Sequence, residues 1–213
     1  MDRSSTLHIV QPAAPIEAAA DRSPLVRAAL EKAREAHRGQ VRNGSGGMPY
    51  VEHPIAVAAL LAEHGYREEV IAAALLHDVV EDSAITLDEL GEEFGPEVAG
   101  LVGALTDDER IESYSERKAE HRERVAAADG EALAIYASDK LTNSSTIAKT
   151  FAEEGDSVRG EFKVPLELKL EIWEADLGLL REKAPDLPLL DRLEAALSAL
   201  RDELAARAPG TSG

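Results

Sequence analysis

The sequence predicts an all-α fold. Aromatic residues make up only 4% of its 213 residues while apolar residues make up 44%. Ala and Leu therefore build most of the core, which favours close-packed helices over a sandwich rich in Val, Ile and Tyr. From Ser23 onward the apolar residues recur at spacings of three and four, the helical period, and no segment reads as a strand.

Residues 1–22 are rich in Pro, Ala and Ser without a sustained period and are expected to form a flexible leader. Ser23 then caps a helix with Pro24 at its first position, and Val26, Ala29, Leu30 and Ala33 mark its inner face. Residues 42–50 hold three glycines and a proline, which cannot continue a helix, so they read as a loop. A second helix is expected from Pro54 and a third from about Glu68 through Val80. The apolar run Val70–Leu76 makes the third helix central and buried. Thr86 and Glu89 have the spacing of a capping box, opening a helix that breaks near Gly95-Pro96. A further helix runs from Glu97 to about Leu105, followed by a polar loop or mobile flap over 106–112. Ser113 and Glu116 repeat the capping pattern ahead of a charged helix that stops at Gly130. Residues 131–151 are helical, and Gly155 to Pro165 is irregular. Two more helices close the chain, the last carrying Leu190, Leu193, Leu197, Leu200 and Leu204. The expected organisation is one domain over 23–207, with a helical annex from about 165, and a disordered tail at 208–213.

The net charge of −18 argues against a nucleic-acid partner, which would need clustered Lys and Arg. An anionic small molecule stays compatible, because a bound metal inverts the sign of an acidic site locally. The absence of cysteine removes disulfides and thiolate metal sites. No apolar run reaches the roughly 18–20 residues of a bilayer span, and the first residues lack a secretory apolar region. A cytoplasmic protein with no membrane partner is the expectation.

Three short segments place polar residues where a plain core would exclude them. They are His53-Pro54, the run from His77 to Asp82, and the run from Asp139 to Asn143. His77 and Glu81 are four residues apart, as are Asp78 and Asp82, so each pair is expected to stack along one helical face. Ionised carboxylates at a buried helix C-terminus are costly, because both burial and the macrodipole oppose them. A divalent cation resolves that conflict. Asp139, Asn143 and Thr146 likewise share one face of their helix. Two His and two Asp supply four mixed nitrogen and oxygen ligands, a set that suits one Mn²⁺ or Fe²⁺, or Zn²⁺, better than a Ca²⁺ cage. Glu81 or Asp82 could then position or deprotonate the attacking water.

These segments lie within a longer ordered series. It comprises Ala36–Arg42, Pro49–Ala58, Ala73–Asp82, Phe94–Ala99 and Asp139–Asn143. Over roughly residues 25–150 this series resembles the HD superfamily, and more closely the hydrolase domains of RelA/SpoT-type alarmone enzymes and the small alarmone hydrolases. The resemblance implies a helical bundle of the HD type. It implies a Mn²⁺ held by His53, His77, Asp78 and Asp139, with Glu81 and Asp82 as the water-activating pair. Arg42, Tyr50, Asn143 and Thr146 match positions that contact the guanosine nucleotide or its phosphates. The implied reaction is hydrolytic removal of the 3′-pyrophosphate from guanosine tetra- or pentaphosphate. A related animal enzyme also removes the 2′-phosphate of NADPH.

The sequence departs from the family pattern in four places. Asn43 stands where a second basic residue is common, and the loop from Arg42 to Tyr50 is longer and richer in glycine. The Asp-Arg-Leu-His-Asn motif is Asp-Lys-Leu-Thr-Asn here. The segment around Trp173 lacks a tyrosine pair. Lys140 and Lys163 are candidates to supply the charge missing at Asn43. Two alternatives to an alarmone hydrolase are a phosphatase of the same type acting on a nucleoside monophosphate or NADPH, and a catalytically silent nucleotide-sensing module.

Overall fold

The computed structural model describes residues 13–128 and 130–207, and among these it is helical with no β-strand. Helix α2 (Pro24–Ala36) begins as its sequence requires. The Ser23 side chain accepts from the Val26 N–H, and Pro24 occupies the first turn, where no N–H is needed. The centre is α4 (Glu68–Leu76), whose seven residues from Val70 to Leu76 are all buried. Helices α2, α3 (Glu52–Glu63), α7 (Pro96–Leu105) and α9 (Gly130–Glu154) pack around it. Helix α6 (Leu87–Phe94) opens on the expected Thr86–Glu89 capping box and lies against α7. Helix α8 (Tyr114–Ala127) starts at Ser113, whose hydroxyl accepts from the Glu116 N–H. The annex of α10 (Leu166–Lys183) and α11 (Leu190–Ala206) packs on α8 and α9 through its leucine stripe.

Four sequence expectations need correction. The first is the flexible leader, because Ala13–Arg22 forms helix α1 against α2 and α3. Ile16, Ala19 and Ala20 are its buried stripe, a pattern too short and too poor in large residues to stand out from the surrounding alanines. Residues 1–12 and the tail 208–213 lie outside the described residues.

The second concerns the long helix expected from Glu68 through Val80. It ends at Leu76, and a separate single turn, α5 (Val79–Asp82), follows. His77 Nδ1 lies 2.8 Å from the Ala74 carbonyl. The side chain thus competes for an acceptor the helix would use one turn on. Glu81 and Asp82 are therefore carried on their own turn rather than on an extension of α4.

The third is the mobile-flap alternative at 106–112, while 42–50 is a loop as expected and an ordered one. Residues 42–50 are held by an antiparallel bridge between Val41 and Pro49 and by Arg42 N–H donating to the Met48 carbonyl at 3.1 Å. Asp107, in the expected flap, is half-buried and held by three basic side chains. The fourth is the irregular stretch after Gly155, part of which is a 3-10 helix over Gly155–Glu161.

The packing of α1 gives a direct test. Ile16 is 1% exposed, so Ile16→Ala should cost about 2–4 kcal/mol of unfolding free energy, the usual range for truncating a packed aliphatic side chain. Urea denaturation measures it, and a loss below about 0.5 kcal/mol would mean that α1 is not part of the core.

Candidate metal centre

Three helices bring the polar segments to one point. His53 is in the first turn of α3, where Pro54 is tolerated because the N–H it lacks has no helical partner. His77 caps the end of α4, and Asp139 lies midway along α9. Both imidazoles are buried. One nitrogen of each imidazole and one oxygen of Asp139 all lie within 4.8 Å of one another. His53 Nε2 is 3.0 Å from Asp139 Oδ1 and 3.6 Å from Asp78 Oδ2. His77 Nε2 is 3.1 Å from Asp78 Oδ1 and 3.7 Å from Asp139 Oδ1. The four side chains singled out as ligands thus face one volume.

The electrostatics of this volume call for positive charge. Burial opposes the charged form of His77, yet Asp78 and Asp139 outweigh it and raise its pKa to about 9. Burial and the neighbouring Arg42 charge push His53 down to about 4, leaving a neutral imidazole. Burial also opposes ionisation of Asp139. Lys140, whose Nζ is 2.8 Å from Asp139 Oδ2, and the two imidazoles nevertheless hold Asp139 well below the usual carboxylate range.

Glu81 and Asp82 flank the cluster. Burial and the Asp78 charge push Glu81 up to about 7, a value suited to accepting a proton near neutrality. The backbone N–H of Asp107 donates to Glu81 Oε1 at 2.7 Å. Asp107 is itself pinned by Lys118 at 2.5 Å, Arg117 at 3.4 Å and His121 at 2.9 Å. Asp107 escaped the sequence reading because its partners lie on α8 and nothing local marks it. The Asp82 carbonyl accepts from Gln40, whose Oε1 meets His37 Nδ1 at 2.7 Å. His37 in turn stacks on Tyr50 with centroids 4.7 Å apart.

Three of the four substrate candidates converge on the same carboxylates. The Tyr50 hydroxyl donates to Asp78 Oδ2 at 2.9 Å, and burial with the Asp78 charge raises its pKa, keeping it protonated. The Arg42 guanidinium lies over the Tyr50 ring at 5.1 Å and donates to the Asn143 side-chain oxygen. The Asn143 amide donates to Asp139 Oδ1 at 2.6 Å. Thr146 stands one turn further along α9, and its carbonyl accepts from Thr150. Of the two lysines considered as replacements for a basic residue at 43, Lys140 is committed to Asp139 and Lys163 is exposed.

A family model for the HD domain matches residues 29–162. The chain belongs to the HD domain family. The resemblance read from the motif series is therefore borne out. Two curated relatives carry the name guanosine-3′,5′-bis(diphosphate) 3′-pyrophosphohydrolase. The one from Danio rerio, MESH1, is 41% identical over 52% of this chain and 62% of its own length. The one from Aquifex aeolicus is 36% identical over 70% of this chain and 22% of its own length. The chain thus spans less than two thirds of either relative. A solved structure described as a metazoan ortholog of SpoT that hydrolyses ppGpp aligns with a TM-score of 0.67 at 28% identity, covering 87% of this chain and 97% of that one. A Listeria monocytogenes structure aligns at 0.63 and 33%, covering 68% and 96%.

An HD domain implies a divalent metal, and the residues present fit one. His77 Nε2 is buried with no hydrogen-bond partner and faces two carboxylates. Nδ1 donation to the Ala74 carbonyl would leave the Nε2 lone pair free. Purified protein should therefore bind about one divalent ion per chain, as a single such site would. His77→Ala and Asp139→Ala should each lower that content severalfold in elemental analysis by mass spectrometry. Full metal content in both variants would break the ligand assignment.

Proposed function

We propose that this HD domain hydrolyses the 3′-pyrophosphate of guanosine 3′,5′-bis(diphosphate). The observation that carries the reading is the convergence on one carboxylate pair of buried imidazoles, a raised carboxyl and a cation stacked on a tyrosine. The names of the Danio rerio and Aquifex aeolicus relatives support it, as does the likeness to the metazoan SpoT ortholog. His53, His77, Asp78 and Asp139 would hold the ion. Their mixed nitrogen and oxygen donors favour Mn²⁺, with Fe²⁺ and Zn²⁺ as the other fits. When bound, such an ion polarises a phosphoryl oxygen and lowers the pKa of water.

The chain's own residues do the rest. Glu81, held near neutrality and oriented by the Asp107 N–H, accepts a proton from the attacking water, with Asp82 beside it on the same turn. Tyr50 stays a hydrogen-bond donor and fixes Asp78. Arg42 and Asn143 hold the nucleotide against the face of α9, and Thr146 extends that face by one turn. Attack on the phosphorus next to the ribose breaks its bond to the 3′-oxygen, releasing pyrophosphate and a 3′-hydroxyl. On this reading the chain works in the cytoplasm on a free nucleotide, with no nucleic-acid partner. Among the described residues no helix is long and apolar enough to cross a membrane.

A panel of guanosine tetraphosphate, NADPH and simple nucleotides with Mn²⁺ tests the substrate. The reading expects guanosine tetraphosphate to give the highest kcat/KM. A preference for NADPH or a monophosphate would replace it with a different phosphatase, and no turnover would leave a sensing module. Glu81→Gln and Asp82→Asn should keep the metal and lose turnover by about 10²–10⁴-fold, the range for a lost general base. Near wild-type rates in both would remove them from the chemistry.

A further inference from the structure

Lys169 stands apart from every other cation near the site. It lies in the first turns of α10, partly buried, where the annex meets α8 and the loop after α9. Three aromatic rings surround its Nζ, with centroids at 5.1 Å for Phe162, 5.4 Å for Tyr114 and 5.9 Å for Trp173. Its hydrogen bond goes to the Tyr114 hydroxyl at 3.4 Å. Lys140 has Asp139, and Lys118 has Asp107. Among the described residues no carboxylate lies within ion-pair distance of Lys169. Burial first, and then the charges of Lys118, Lys140 and Arg42, lower its pKa to about 8, with Asp139 acting against them.

A chain with a net charge of −18 has no shortage of carboxylates to offer a lysine. Withholding them here leaves a focus of positive potential beside an acidic metal centre. The aromatic enclosure is tied to the loop of Arg42. Phe162, one face of the aromatic enclosure, packs against the loop of Arg42 at Gly44, where a side chain would overlap its ring. Gly44 has φ +70 and its N–H donates to Glu161 at 2.6 Å, so loop and annex form one wall. Lys169 and Arg42 thus belong to a single surface although 127 positions separate them.

We propose that Lys169, with Arg42, forms an anion subsite that takes the diphosphate of the substrate not being cleaved, the one on the 5′ side of the nucleotide. This rests on the reading of the chain as a guanosine tetraphosphate hydrolase. The cleaved phosphate must lie at the carboxylate–imidazole cluster. Lys169 contacts none of those four side chains, and the ribose holds the two diphosphates apart. A second anionic group of the same molecule meets the second cationic focus. The subsite supplies from the annex the charge absent at Asn43.

The test uses the metal-loaded enzyme, with Lys169→Met and Lys169→Arg. Lys169→Met should raise KM for guanosine tetraphosphate by about tenfold or more, the scale of a lost charge-assisted hydrogen bond. It should leave KM for guanosine 3′-diphosphate, which has no 5′ phosphates, within about twofold. Lys169→Arg should stay near wild type on both. Trp173 is the only tryptophan of the chain and borders Lys169, so its fluorescence reports affinity for guanosine 5′-diphosphate, which has no 3′ phosphate to lose. That affinity should fall in Lys169→Met and hold in Lys169→Arg, with guanosine alone as the control. Equal effects on both substrates, or unchanged diphosphate affinity in Lys169→Met, would overturn the subsite. If the wild type cleaves neither substrate, the hydrolase reading fails, and the fluorescence titration alone upholds or overturns the subsite.

Discussion

Asp78 and Asp139 are carboxylates placed where a protein can least tolerate them, facing each other's neighbours across two buried imidazoles. Asp78 follows the C-terminal end of α4, where the helix dipole adds to the cost of burial. The fold compensates with every cation and donor within reach. Lys140 bonds Asp139, the Asn143 amide bonds its other oxygen, and the Tyr50 hydroxyl bonds Asp78. His77 holds a proton up to about pH 9 for the same reason. A divalent ion would satisfy the same demand with more charge in less space, in place of that proton. The break between α4 and α5 follows from this constraint, because it lets His77 turn back to Ala74 while Asp78 faces α9.

The rest of the site can be understood as layers around that pair. Burial, with the Asp78 charge beside it, lifts the Glu81 pKa toward neutrality, while the Asp107 N–H fixes its orientation. Arg117, Lys118 and His121 serve the site through Asp107. Arg42 reaches over Tyr50 to Asn143 and links the glycine loop to α9. On the proposed reading, a strongly acidic chain would receive a polyphosphate through a few local cations, since attraction is confined to a Debye length, roughly 8 Å at physiological salt.

What the sequence disclosed was what short spacing encodes. The Ser23 cap, the Thr86–Glu89 box and the buried run of α4 depend on neighbours within one or two turns, and each formed as expected. The metal cluster was legible because His, Asp and Glu stood out against Ala and Leu in apolar helices. Features that rest on distant partners were not. Ile16, Ala19 and Ala20 are a helix face only because α2 and α3 receive them. Asp107 looked like loop polarity until α8 supplied three bases. Lys169 has no local mark in its helix, because the rings around it, Tyr114 and Phe162, come from other segments of the chain.

One divalent ion would join the two carboxylates to the two imidazoles. Anomalous diffraction from crystals of the Mn²⁺-loaded protein, collected at the manganese edge, tests it most directly. One strong peak per chain is expected, in contact with His53, His77, Asp78 and Asp139. A peak bound elsewhere, or a cluster that stays without manganese at saturating concentration, would contradict it.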